Sequence, residues 1–195
     1  MEPAVNVSRR RRRRVGGALA VVPALVALPA AAQVNERALK AAYLYNFLQF
    51  TQWPVPPDEP FRLCVFGRTP LDGELERLSG KPVLGERHIS VRHVNIRDPL
   101  TDCNALYLDD SQRSHVDEVL RRLNGAPVLT ITDGDGLADR GLMIEIRKRE
   151  LTLDFDVNLK VAHRANINFS ARMLKMASYV NGAADAGSGG RGVSP

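Results

Sequence analysis

The sequence has little of the chemistry on which enzymes and metalloproteins depend. Only four of its 195 residues are histidine, and no two have the i, i+4 spacing of a metal site on a helix. His88 and His93 lie on or beside one predicted strand, where a regular pleat would direct them to opposite faces. The Gly-x-Ser-x-Gly elbow and the phosphate-loop pattern are both absent. We therefore expect no catalytic residues, no metal and no cofactor, and predict that the protein is not an enzyme.

Two groups of carboxylates have structural explanations. Residues 133–136, Asp-Gly-Asp-Gly, begin like a calcium loop, but Ile144 stands at the twelfth position, where such a loop needs glutamate. We interpret this segment as a tight turn after a strand. Glu145, Asp154 and Asp156 fall on polar positions of a predicted hairpin, whose half-exposed face accounts for them without catalysis.

The basic excess of the chain is confined to its N-terminus. Residues 1–32 contain the run Arg9–Arg14, an apolar stretch Val15–Leu28 and the small residues Ala30–Ala32, the pattern of a secretory signal peptide. The apolar stretch is shorter than the roughly 20 residues that cross a bilayer, so we expect cleavage near Gln33 rather than an uncleaved anchor. Without this leader, basic and acidic residues are equal in number. We therefore predict a periplasmic protein that does not bind nucleic acid and does not insert into the membrane after cleavage.

The rest of the chain predicts one domain and a tail. Residues 33–180 have the length of an ordinary domain, and residues 181–195 are glycine-rich and poor in apolar side chains, which predicts a disordered tail. Strands and helices alternate first, and a hairpin and two helices follow. The predicted strands are Phe61–Gly67, Ile89–Val94, Ala105–Leu108, Val128–Thr132 and the hairpin arms Leu142–Ile146 and Leu151–Val157. The predicted helices are Thr69–Gly80, Ser114–Leu123, Leu159–Arg164 and Ser170–Val180. In the second of them, Ser114 and Asp117 resemble a capping box. This order predicts a single-domain α/β sandwich with a mixed sheet and a C-terminal hairpin plus helices.

The opening helix is unusually rich in aromatic side chains. Its sequence from Lys40 to Pro54 is apolar nearly all round, and we expect Trp53, which precedes proline, to end it. The first interpretation is that the rings pack against the sheet as core. The alternative is that one side of the helix stays exposed and binds a partner, since tyrosine and tryptophan are favoured anchors. The candidate residues on that side are Tyr45, Leu48, Gln49 and Gln52.

The two cysteines predict a disulfide. Cys64 lies in the first predicted strand and Cys103 just ahead of the third, and export places both in an oxidising compartment. Neighbouring strands could bring their Cα atoms within the necessary separation of about 7 Å. Two buried free thiols are the alternative, and a metal site is less favoured because no histidine partner is near.

The order and spacing of several segments resemble one family, the YfiR-like periplasmic proteins. No single motif is specific, but the resemblance covers nearly the whole domain. It is carried by Lys40–Phe47 with Trp53-Pro54, Leu63–Gly67, Cys103, Met143-Ile144, Phe155–Asn158 and Ser170–Ala177.

The resemblance implies a regulator rather than an enzyme. A member of this family would bind the periplasmic part of an inner-membrane diguanylate cyclase and repress it, lowering cyclic-di-GMP and biofilm formation. Cys64 and Cys103 match one disulfide of the family; the further cysteines of some members are absent here. Two other classes stay open: a periplasmic ligand-sensing protein that serves a sensor kinase or transporter, and a hydrolase. The sequence also leaves open whether the protein is a monomer or a homodimer.

Overall fold

The computed structural model describes residues 30–150 and 152–182, with side chains from Glu36 onward. The predicted signal peptide lies outside this range except for Ala30–Ala32, and the predicted tail lies outside it except for Asn181 and Gly182. The helices are α1 (Ala30–Phe50), α2 (Asp72–Glu76), α3 (Val116–Leu123), α4 (Leu159–Arg164) and α5 (Ala171–Met176). The strands are β1 (Thr51–Gln52), β2 (Phe61–Phe66), β3 (Pro82–Val83), β4 (Arg87–Val94), β5 (Ala105–Leu108), β6 (Leu129–Thr132), β7 (Ile144–Arg149), β8 (Thr152–Asn158), β9 (Asn168–Phe169) and β10 (Tyr179–Asn181).

An eight-stranded mixed sheet organises the chain, in the order β10-β8-β7-β6-β5-β2-β4-β3. Strands β4, β2, β5, β6 and β7 are parallel, β7 and β8 form the predicted antiparallel hairpin, and β10 runs parallel to β8. The chain leaves β2 towards β4 on one side and later enters β5 on the other, so the strand order reverses at β2. Because β2, β5 and β6 are parallel, their carboxyl ends lie at the same edge of the sheet.

Side-chain alternation along β2 shows how helices cover both faces of the sheet. Phe61, Leu63 and Val65 join the buried cluster that includes α1, whereas Cys64 and Phe66 join the cluster that includes α3. Both sets are buried, as expected for a parallel strand enclosed between two helical layers. The α/β sandwich with a mixed sheet is confirmed.

The aromatic rings of α1 belong to the core. Phe47 is buried, and the centre of its ring lies 4.8 Å from the centre of the Phe155 ring. The Tyr43 ring meets the rings of Phe47 and Phe155 edge-on, with centre-to-centre distances of 6.0 and 5.9 Å. Beyond the helix, the Trp53 ring stands 5.3 Å from Phe61. Such pairs add to the free energy of apolar burial. The first interpretation of the aromatic helix is therefore confirmed for these rings.

Two predicted helix ends are wrong because distant segments of the chain pair with the backbone there. Helix α1 ends at Phe50 rather than Trp53, since Thr51 and Gln52 form β1 and pair with β9. The last helix ends at Met176 rather than Val180, since residues from Tyr179 onward form β10 on the outer edge of β8. In both places a strand ladder replaces helical hydrogen bonds.

The predicted capping box of α3 does not form. Ser114 lies in a 3₁₀ helix, Asp110–His115, that precedes α3, and the N-cap position of α3 is His115 without a side-chain cap. Asp109 caps the 3₁₀ helix instead, because its Oδ1 accepts a hydrogen bond from the Ser111 N–H at 3.0 Å.

Candidate partner-binding surface

The structure separates the four residues that the sequence placed on one exposed side of the opening helix. Leu48 is 0% exposed because it lies on the face of α1 that packs into the core, so its assignment to an exposed surface is wrong. Gln52 is exposed but belongs to β1, where it pairs with Asn168. Tyr45 and Gln49 are half-buried.

The polar groups of Tyr45 and Gln49 hold the β3 edge of the sheet. The Tyr45 hydroxyl donates to the Pro82 carbonyl at 2.7 Å, and Gln49 Nε2 donates to the same carbonyl at 3.1 Å and to the Tyr45 hydroxyl at 2.9 Å. The Lys81 ammonium lies 5.6 Å from the centre of the Tyr45 ring. We call Tyr45 and Gln49 of α1, together with Gln52 just beyond the helix, the α1 surface. Its role in binding a partner stays a prediction.

A second surface combines exposed apolar side chains with a sheet edge. Met176, at the end of α5, is 62% exposed, and Tyr179, at the start of β10, is 57% exposed. Among the described strands, β10 pairs only with β8 and is therefore an edge strand. We call Met176 and Tyr179 the β10 surface. The sequence does not predict this surface, because its pattern places Tyr179 in a helix over Ser170–Val180 and not in a strand.

The hairpin carboxylates make their contacts within the fold. Glu145 is 3% exposed, and its two oxygens accept hydrogen bonds from the Gly136 N–H at 3.0 Å and the Ala138 N–H at 2.8 Å. Asp156, directly opposite on β8, accepts a hydrogen bond from Arg147 Nη2 at 2.7 Å. Burial raises the pKa of Asp156, and the neighbouring Glu145 and Asp154 raise it further, against the opposing effect of Arg147. These contacts account for the carboxylates as structural groups.

His88 and His93 lie at the surface beside acidic side chains. His93 Nε2 is 3.3 Å from Glu76, and His88 Nδ1 is 3.4 Å from Glu59. Within residues 30–150 and 152–182, no three His, Cys, Asp or Glu side chains are arranged to hold a metal ion. His93 Nδ1 also lies 3.9 Å from Asp72 Oδ1, so its ring stands between two carboxylates.

The predicted disulfide is present between Cys64 of β2 and Cys103, which precedes β5. Their Cα atoms are 5.9 Å apart and both residues are buried. Strands β2 and β5 are parallel neighbours, and this pairing brings the two cysteines together. The cross-link joins the central strand to the segment that enters the next one.

The fold and these contacts define an α/β sandwich protein whose hairpin carboxylates and paired cysteines serve its structure. No helix in the described part of the chain has the length and apolar character needed to cross a bilayer. The chain belongs to the YfiR/HmsC-like family, whose model matches residues 37–178. This family is one of periplasmic regulators rather than enzymes.

Two solved bacterial structures have a similar fold. A conserved domain protein from Vibrio cholerae superposes with a TM-score of 0.55 at 9% identity, and the match covers 74% of this chain and 60% of that one. The ABC domain in complex with L-Trp from Streptococcus pneumonia gives a TM-score of 0.50 at 10% identity, with the same coverage of 74% and 60%. The chain thus spans about 60% of the length of either neighbour. At such identities the likeness concerns the fold alone.

Proposed function

We propose that the protein is exported by residues 1–32, binds the periplasmic domain of an inner-membrane diguanylate cyclase and represses it. The observation that carries this proposal is the family match over residues 37–178. A protein outside the inner membrane changes cytoplasmic chemistry by binding two states of a membrane-spanning partner with different affinity. Preference for the inactive cyclase would lower cyclic-di-GMP in the cytoplasm.

The required preference sets how much apolar surface the contact must bury. Shifting a two-state enzyme from 1:99 to 99:1 takes about 5.5 kcal/mol of differential binding. Full burial of a large apolar side chain contributes about 1.5–3 kcal/mol. Met176 and Tyr179 expose more than half of their surface. Burying them against the inactive state of the cyclase, and not against the active state, would supply about 2–4 kcal/mol of that preference.

The β10 surface is therefore our first candidate for the cyclase contact. Tyrosine and methionine are both enriched at protein interfaces, and an edge strand can add a partner's strand. The polar groups of Tyr45 and Gln49 are already engaged with Pro82, which leaves the α1 surface fewer free groups. It remains the alternative contact.

Variants of the two surfaces test this choice in cells. Met176→Ser with Tyr179→Ser should raise cyclic-di-GMP towards the level of a gene deletion, while Val55→Ser, at an even more exposed apolar residue, should not. Derepression by Gln52→Arg alone would instead assign the contact to the α1 surface. Soluble protein levels and thermal unfolding of each variant control for misfolding.

Gene deletion tests the proposed function itself. Deleting the gene should raise cyclic-di-GMP and surface attachment, and deleting the partner cyclase as well should cancel both effects. An unchanged nucleotide level in the single deletion, with the protein and the cyclase both produced in the parent strain, would contradict the proposal.

A further inference from the structure

A small cleft lies where the carboxyl ends of the central parallel strands meet α1. The strand order reverses at β2, whose neighbours are β4 and β5. Ligands of open α/β sheets bind at such a reversal, outside the carboxyl ends of the strands. The cleft has a volume of about 190 Å³. It is lined by Glu36, Arg37 and Lys40 of α1, Pro70 and Leu71 after β2, Asp109 after β5 and Asp133 after β6.

A buried hydroxyl lies beside this cleft without a hydrogen-bond partner. Tyr107 of β5 is 0% exposed, and its hydroxyl lies near Asp133 and Thr69 but is in hydrogen-bond geometry with no described residue. Its polar neighbours are Asp133, Asp109 and Thr69; burial raises the pKa of the phenol, and the two carboxylates raise it further. Buried polar groups are nearly always paired, so an orphaned hydroxyl next to a cleft at the switch point indicates an absent partner.

The carboxylates at the cleft differ in whether a cation balances them. Asp133 Oδ2 accepts a hydrogen bond from Lys40 Nζ at 2.8 Å, and Glu36 Oε2 accepts one from Lys148 Nζ at 2.7 Å. Each of these carboxylates is thereby neutralised by an ammonium group of the chain itself.

Asp109 has only neutral donors. Its Oδ2 accepts from the Thr69 hydroxyl and its Oδ1 from the Ser111 N–H, each at 3.0 Å, and no described cation lies within ion-pair distance. The residue is 8% exposed. A buried carboxylate without a counter-ion is unfavourable in the low-dielectric interior, which favours a cationic ligand at this position.

We propose that the cleft binds a small primary ammonium compound, whose N–H groups contact the Asp109 carboxylate beside the Tyr107 hydroxyl. The volume is below the roughly 300–1,000 Å³ of drug-sized pockets, so the ligand has few atoms beyond its ammonium group. Arg37, exposed at the mouth, can pair with an anionic end if the ligand is a zwitterion. The shared requirement is the ammonium group.

Titration calorimetry on the purified chain tests the site with named probes. Ethylammonium, putrescine and glycine represent a simple amine, a diamine and a zwitterion, and tetramethylammonium carries the same charge without N–H donors. We expect heat from at least one of the first three and none from tetramethylammonium. Absence of heat from all three up to about 10 mM, which would detect millimolar dissociation constants, would overturn the proposal.

Three substitutions locate the binding. Asp109→Asn keeps an oxygen for the Ser111 N–H but removes the charge, so affinity should fall about tenfold or more. Tyr107→Phe should weaken binding with little loss of thermal stability, because its hydroxyl is in hydrogen-bond geometry with no described residue. Asp110→Asn changes an adjacent exposed carboxylate that pairs with Arg113, and should leave affinity unchanged. Equal losses in Asp109→Asn and Asp110→Asn would refute the assignment.

The regulatory consequence rests on the proposed function and is tested separately. A bound ammonium ligand would shift the repressor between its free and cyclase-bound states if the two states differ in affinity for it. A probe that binds and changes cyclase turnover would support both proposals. Binding without any change in turnover would support the site and count against its regulatory use.

Discussion

Removal of the Cys64–Cys103 disulfide should strongly destabilise the domain. The bond closes a loop across 39 positions of sequence and ties the central strand β2 to the segment that enters β5. In the loop-entropy model, a cross-link of this span contributes about 4 kcal/mol by restricting the unfolded chain. Both cysteines are buried, so Cys64→Ala with Cys103→Ala also leaves small voids that cost about 1 kcal/mol more.

The effect is large enough to measure by thermal and urea unfolding. For a domain of about 150 residues, 1 kcal/mol shifts Tm by about 2–4 °C, so the double variant should lose about 10–20 °C. Its m-value should rise, because the unfolded chain without the cross-link exposes more surface. Reductant should lower the Tm of the wild type towards that of the variant and leave the variant unchanged. A loss of less than about 3 °C would refute the reasoning that the cross-link stabilises by loop closure.

Three further predictions concern polar contacts. Tyr45→Phe should cost about 0.5–1 kcal/mol in urea unfolding, since Gln49 still donates to the Pro82 carbonyl; no loss would contradict the contact. Glu145→Ala should cost about 2–4 kcal/mol in urea unfolding, because it leaves the Gly136 and Ala138 N–H groups unpaired. Glu145→Gln keeps one acceptor oxygen and should cost less. Equal losses in the two variants would argue against the role of Glu145 as a hydrogen-bond acceptor. The pKa of Asp156 is raised above its ordinary value of 3.8, so its protonated form favours folding and this stability is lost as pH rises through the folded pKa. Asp156→Asn should therefore gain stability relative to the wild type as pH rises from about 3 to about 7. If the variant instead lost stability relative to the wild type over this range, the raised pKa would be disproved.

Local sequence signals were sufficient for much of the fold. The apolar runs of β2, β5 and β6 are bounded by turn residues. Asn158 precedes α4 as its N-cap, and its side chain accepts a hydrogen bond from the Val161 N–H. The disulfide was predictable because two cysteines near neighbouring strands share an oxidising compartment. These features depend on residues close together in sequence, or on one pairing with few alternatives.

Features set by long-range pairing were not predictable from one sequence. The end of α1 depends on β9, more than a hundred residues away, and β10 forms because β8 has a free edge. Leu48 could be placed on α1 but not on its buried face, because nearly every face of that helix is apolar. The cleft was missed because its side chains come from α1 and three strand ends, which only the topology brings together.

The central claim is that this protein represses a membrane diguanylate cyclase through that enzyme's periplasmic domain. It is tested most directly by measuring GTP turnover of the purified full-length cyclase that co-purifies with the protein from membranes. The mature protein should bind and inhibit the full-length enzyme, and should leave a form without the periplasmic domain fully active. Unchanged turnover at concentrations that saturate the complex, or equal inhibition of both forms, would contradict the claim.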